Sequence, residues 1–180
     1  CAGGGIGFNF SKIRPKGDDI QNIKCSAPGP ISVMKMINEI GEHVRAGKNR
    51  RTALMAILSI SHPDFLEFLN AKLDRGELNN FNISVAITNR FVEAVENDDE
   101  WYFTFGGRHE KYFVYEVSRF SEEGDDLIEV VAKNEEDAIG RAEVSRQKHY
   151  KDTFSEAKIT PLMAKDIWRR IIDNAVESGE

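Results

Sequence analysis

Residues 53–60 form an almost unbroken apolar run, Ala53-Leu54-Met55-Ala56-Ile57-Leu58-Ser59-Ile60. A short run of that kind with no polar alternation predicts a strand buried on both faces, as in a parallel sheet covered by helices. The residues after it agree. Pro63 suits a first helical turn, and Phe65, Leu66, Phe68, Leu69 and Leu73 supply a helical apolar face. Gly76 breaks the helix. Phe81, Ile83, Val85 and Ile87 then alternate with Asn82, Ser84, Ala86 and Thr88, which predicts a strand with one apolar and one more polar face. Strand, helix and strand in close succession predict a parallel α/β unit.

On either side the reading is coarser. Residues 1–30 are rich in Gly and Pro around a short apolar stretch from Ile6 to Phe10, which predicts a turn, an extended piece and an irregular loop over residues 14–30. Ser32 is the expected cap of a helix whose apolar positions are Val33, Met34, Ile37, Ile40 and Val44, with Gly47 at its C-cap and Lys48-Asn49-Arg50-Arg51 as a basic turn. Asn89 is expected to cap a helix carrying Phe91, Val92 and Val95. Further on, residues 111–119 and 127–133 read as strands joined by a polar turn, and Asn134 caps a helix running to about Tyr150. Pro161 opens a last amphipathic helix bearing Leu162, Ile167, Trp168, Ile171, Ile172 and Val176.

Composition removes several classes of function. A net charge of −6 argues against a duplex-binding surface, and no apolar run reaches the length of a membrane span. Nucleic acid and membrane are therefore not expected partners, and a cytoplasmic location is expected. Cys1 and Cys25 are too far apart for a disulfide framework or a zinc site, and His43, His62, His109 and His149 share no metal-ligand spacing. His62 reads as a residue of a helix-opening turn, and Cys25 as a partly buried, inert thiol. Both chain ends read as cuts in a longer polypeptide.

Two stretches carry a family resemblance. Gly3-Gly4-Gly5-Ile6-Gly7-Phe8-Asn9-Phe10-Ser11-Lys12-Ile13-Arg14-Pro15-Lys16-Gly17 and Asn80-Phe81-Asn82-Ile83-Ser84-Val85 resemble segments of the ribonucleotide reductase catalytic subunit, with wording closest to its adenosylcobalamin-dependent class. The resemblance implies an α/β fold, part of a ten-stranded α/β barrel with a small strand-strand-helix insertion. It divides the chain into barrel residues 1–104, an inserted subdomain at 105–157 and a helix at 158–180 that rejoins the barrel. The complete enzyme would convert ribonucleotides to deoxyribonucleotides by thiyl-radical chemistry, with adenosylcobalamin as cofactor. Its partners would be a ribonucleotide substrate, a deoxynucleotide or ATP effector and the remaining segments of the reductase, with a homodimer left open. A non-catalytic nucleotide-binding or assembly module of a split reductase is the alternative.

The resemblance also implies roles for single residues. A first loop, residues 14–26, and a second, residues 47–52, would couple effector to substrate. Arg14, Lys16, Lys48, Asn49 and Arg50 would face the effector, where a forked guanidinium suits a triphosphate. Ser26, Ala27, Gly29 and Arg51 would face the substrate, with Gly29 allowing close approach at a helix N-terminus. No catalytic residue is expected in this chain, since neither cysteine stands at a redox or radical position. The second loop departs from the family, because Lys48, Thr52 and Ala56 stand where glycines are usual.

Overall fold

The computed structural model describes residues 5–20, 25–44, 52–72, 77–106, 110–121, 125–145 and 153–178. Two sheets organise them. Strands β1 (Gly5–Asn9), β2 (Ala53–Ser59) and β3 (Phe81–Ala86) pair in parallel with β2 in the centre, and Ala56 of β2 lies between Phe8 and Ile83. Helices α1 (Gly29–His43) and α2 (Phe65–Asn70) make the crossovers. They cover one face of the sheet, where Phe10, Ile31, Met34, Leu54, Ala56, Leu58, Phe68 and Phe81 form a closed apolar core.

The other face is more open, with Ala53, Met55 and Asn82 exposed and Ile57, Ser59, Ser84 and Ala86 partly buried. Strand β2 therefore alternates, with Leu54, Ala56 and Leu58 buried while Ala53 and Met55 are exposed. The expected two-sided burial is corrected: among the described residues the second face of β2 is exposed at Ala53 and Met55 and only partly buried at Ile57. The mixed α/β class stands, but the described residues hold three parallel strands and no closed barrel.

Several element boundaries also move. Helix α1 begins at Gly29, with Pro28 at the N-cap, so Ser32 is an exposed residue inside the helix rather than its cap. Its buried stripe is Ile31, Met34, Asn38 and Gly41, whereas Ile40 and Val44 are more than half exposed. Small Gly41 lets the helix lie close to Leu54 and Thr52, and Asn38 is buried because Asn80 pairs with it. Gly47, Leu73 and Gly76 lie outside the described residues. Helix α3 (Asn89–Asn97) is capped by Thr88, whose hydroxyl accepts from the Phe91 N–H, so Asn89 is one residue too late.

Beyond α3 the chain builds an antiparallel sheet. Strand β5 (Lys111–Phe120) pairs with the short β4 (Phe103–Thr104) at its start, with β6 (Asp126–Ala132) on one side and with β7 (Thr153–Thr160) on the other. Helix α4 (Glu135–Ser145) packs on this sheet through Ala138 and Ala142, against Tyr115, Val117, Ala132 and Ala157. Asn134 caps it as expected, accepting from the Asp137 N–H at 2.8 Å. Strand β7 has no counterpart among the expected elements, which pass from α4 directly to the last helix, α5 (Ala164–Ser178). The chain leaves and returns at one place, where the Trp101 N–H donates to the Leu162 carbonyl at 2.7 Å and Glu100 bridges Met163. A third core of Phe65, Phe91, Trp101, Phe103, Tyr112, Val114, Leu162 and Ile167 seals this junction.

Candidate functional site

The loop between β1 and α1 folds back on itself. The Gly17 N–H donates to the Ala27 carbonyl at 2.9 Å, the Ala27 N–H to the Asp18 carbonyl at 2.8 Å, and the Ile20 N–H to the Cys25 carbonyl at 3.1 Å. Its two arms thus form a small ladder ending at Gly29, whose φ of +79° favours glycine. A Cβ there would stand 2.8 Å from Lys16 Cβ and 3.0 Å from an Asp64 carboxylate oxygen. The groups that approach Gly29 closely here are the chain's own Lys16 and Asp64.

Two sets of side chains fix this loop. From the turn before α2, Asp64 accepts the Lys16 N–H at 2.8 Å, and the His62 Nε2 lies 2.9 Å from the Ile13 carbonyl. The Asp64 N–H donates to His62 Nδ1, so the proton sits on Nε2 and donates to Ile13. Burial lowers the His62 pKa, and both ring nitrogens serve the backbone, in keeping with a helix-opening role. From the antiparallel unit, Tyr112, Lys133 and Arg141 converge on Asp18, which is 5% exposed. The Tyr112 hydroxyl donates at 3.0 Å, Arg141 Nη2 at 2.8 Å, and Lys133 Nζ lies at 3.2 Å.

The electrostatics follow from burial. Desolvation pushes the Asp64 carboxyl up to about 7; the Lys16 N–H opposes this, nearby Glu67 adds to it, and the charges of Arg141 and Lys16 oppose it. Burial and the Asp18 carboxylate push the Tyr112 hydroxyl up to about 12, so it is a donor at any physiological pH. Burial works against the charge on Lys133, but the bond to Asp18 outweighs it and its pKa rises. Beside the loop lies a cleft of about 600 Å³, lined by Lys16, Asp64, Glu67, Glu129, Arg141 and Arg170. Its charges are mostly paired, Lys16 with Glu67 at 3.2 Å and Arg170 with Glu129 at 2.8 Å.

A looped-back segment leading into a helix of a parallel sheet is common to many nucleotide-handling folds, and similarity to known proteins decides among them. A family profile described as "Ribonucleotide reductase, barrel domain" matches residues 1–180. The chain belongs to the ribonucleotide reductase barrel-domain family. It is 43% identical over 99 residues to the vitamin B12-dependent ribonucleoside-diphosphate reductase of Thermoplasma acidophilum, covering 54% of this chain and 13% of that protein. The protein of that name from Mycobacterium tuberculosis is 42% identical over 98 residues, covering 54% and 14%. The ribonucleoside-diphosphate reductase subunit alpha of Helicobacter pylori is 26% identical over 183 residues, covering 98% of this chain and 20% of that protein. The chain thus spans between about one-eighth and one-fifth of the length of these relatives.

Within this reductase-family segment the site residues expected from sequence divide into groups. Lys16, Ala27 and Gly29 are brought together by the ladder and Asp64. Ser26 stands exposed on the outer arm, bridged to Asp19, and Arg14 turns a guanidinium nitrogen onto the Asp19 carbonyl. Lys48, Asn49, Arg50 and Arg51 lie outside the described residues, as do Gly3, Gly4, Cys1, His109 and His149. Where the second loop rejoins the described chain, the Thr52 hydroxyl donates to the Gly41 carbonyl at 2.8 Å. Thr52 thus ties the start of β2 to α1. Asn80 serves the same helix through Asn38 and Glu42, while Asn82 is exposed on the open sheet face. Cys25 is an exposed free thiol, which corrects the partly buried position expected for it.

Asp18, Asp64, Tyr112, Lys133 and Arg141 were not singled out in the sequence. Asp18 and Arg141 are 123 positions apart, and no local spacing announces such a pair. Among the described residues no group of three His, Cys, Asp or Glu is placed to hold a metal ion, and no helix is long and apolar enough to cross a membrane.

Proposed function

We propose that this chain is the loop-bearing part of the barrel of a ribonucleotide reductase catalytic subunit. The complete protein reduces ribonucleotides to deoxyribonucleotides by thiyl-radical chemistry on residues outside this chain. The ladder from Lys16 to Gly29 carries the reading. It presents a braced backbone hairpin at the start of α1, beside the C-terminal ends of parallel strands, where α/β sheets bind ligands, in a chain matched along its whole length by the barrel profile. Arg14 and Lys16, with Lys48, Asn49 and Arg50, contact a deoxynucleotide or ATP effector. Ser26, Ala27, Gly29 and Arg51 contact the substrate. The strands β1, β2 and β3 form part of a ten-stranded barrel, and residues 105–157, extended by β7, form a unit inserted into it.

The names of the two B12-dependent relatives extend this proposal to adenosylcobalamin, which supplies the radical in such enzymes. The described residues offer it no seat. His62 has both ring nitrogens engaged and His43 is exposed at the end of α1, so no step is assigned to this chain through that group.

Equilibrium binding of ATP and the four deoxynucleoside triphosphates to the intact native polypeptide tests the proposal. Binding weakened roughly ten-fold or more by Arg14→Ala, the scale of one charged hydrogen bond, is the expected result. Absence of binding, or identical affinities in the wild type and in Arg14→Ala and Lys16→Ala, refutes it.

A further inference from the structure

The same unit that interrupts the barrel-like sequence grips the loop. We infer that the inserted β5–β6–α4 unit is a brace that holds residues 16–18, and through them Ala27, in one backbone arrangement, with Arg141 as the positioning residue. Its consequence for ligand binding rests on the nucleotide-loop reading above; its geometry does not.

Three observations carry it. First, one guanidinium reaches three acceptors on two elements. Arg141 donates to Asp137 Oδ1 one helical turn back at 2.9 Å, to Asp18 Oδ1 at 2.8 Å and to the Lys16 carbonyl. The bond to Asp137 fixes the rotamer, so the fork is aimed before the loop meets it. Second, the grip falls on backbone as well as side chain. Gly17, with φ of +83°, lies against the arginine stem, and a Cβ there would be 3.2 Å from Arg141 Cγ. Third, donors from three places in the unit meet on the same buried carboxylate: Tyr112 from β5, Lys133 just after β6 and Arg141 from α4. The Arg141 side chain is 9% exposed and that of Asp18 5%. Removing one donor leaves a buried carboxylate with fewer partners, which costs more than the loss of an exposed pair.

The force passes directly to Ala27, because Gly17 and Asp18 supply its two backbone partners. A loop already set in its binding arrangement loses less conformational freedom when a ligand arrives, and apparent affinity rises with the fraction of competent loop.

Hydrogen exchange and nucleotide affinity, measured together on the intact native polypeptide, test the brace. In Arg141→Met the Gly17 and Ala27 amides are expected to exchange roughly ten-fold faster or more, on the scale of one lost charged hydrogen bond, while β2 amides keep their rates. ATP or deoxynucleoside triphosphate binding should weaken with them, Arg141→Lys should restore part of both, and Tyr112→Phe should move both in the same direction by less. Should the methionine variant fail to fold, Tyr112→Phe, which removes only a hydroxyl, carries the comparison. Unchanged amide rates, or β2 amides accelerating equally, overturn the brace. Faster exchange with unchanged affinity in a protein that binds nucleotide overturns the positioning role. Faster exchange in a protein that binds no nucleotide upholds the brace and refutes the nucleotide reading alone.

Discussion

Replacing Asp64 with asparagine should make the protein markedly less sensitive to pH between 5 and 8. In the folded chain Asp64 is 7% exposed and its carboxyl is pushed up to about 7, against an ordinary value of 3.8. A carboxyl whose folded pKa lies above its unfolded one binds a proton more tightly when folded. Its contribution is therefore complete below about pH 4 and is lost as pH rises through about 7. With those two values, the wild type should lose about 3 kcal/mol relative to Asp64→Asn between pH 5 and pH 8. That is a large share of the ~5–15 kcal/mol that holds a typical domain together. The asparagine keeps a carbonyl oxygen that can accept the Lys16 N–H, so the variant isolates ionisation from the loss of a bond. Urea denaturation of both proteins at pH 5, 6, 7 and 8 gives the difference directly. Parallel stability curves, or a wild type that gains on the variant as pH rises, would refute the premise that burial outweighs the Lys16 N–H and the neighbouring cations.

Two further perturbations probe the same region by steric means. Gly29→Ala combines a φ of +79° with a Cβ 2.8 Å from Lys16 Cβ, and should cost about 2–4 kcal/mol in chemical denaturation; a loss under ~0.5 kcal/mol would show that the loop ladder yields easily. Phe103→Ala empties a fully buried position between Phe65 and the start of the antiparallel sheet. It should cost about 3–5 kcal/mol by the same assay, and a loss as small as that of an exposed residue would mean the junction is not a packed core.

How much of this was readable beforehand depended on whether a residue's partner lay nearby in sequence. Strands β2 and β3 were legible because their side-chain periods are properties of a few consecutive residues. Burial of β2 was misjudged because the apolar pattern does not record which face a helix covers. The start of α1 was misread because Gly29 and Pro30 look like turn residues, whereas the structure uses Gly29 as a left-handed hinge and Pro30 in the first turn. Strand β7 was missed for a different reason. Its residues alternate weakly, only Ala157 is buried, and it is a strand because β5 offers a free edge, with a register shift at Val117/Ser118 to accommodate it. The exposure of Cys25 was equally unreadable, since it depends on how the loop folds back.

The same distinction explains the candidate site. A sequence can show that Arg14-Pro15-Lys16-Gly17 resembles a nucleotide-handling loop, but not that the loop is held from both sides. Those restraints meet at α1. At its N-terminus, Gly29 is wedged against Lys16 and Asp64, and Ala27 is tied to Gly17 and Asp18. At its C-terminal half, Thr52 bonds the Gly41 carbonyl, and Asn80 bonds Asn38 and Glu42. A helix of this length spans about 22 Å, so it joins the first loop to the exit of the second as one body. The Thr52 hydroxyl supplies part of the far anchor, and Arg141 supplies part of the near one. Both contacts act in the same sense: they restrict the backbone at the two ends of α1.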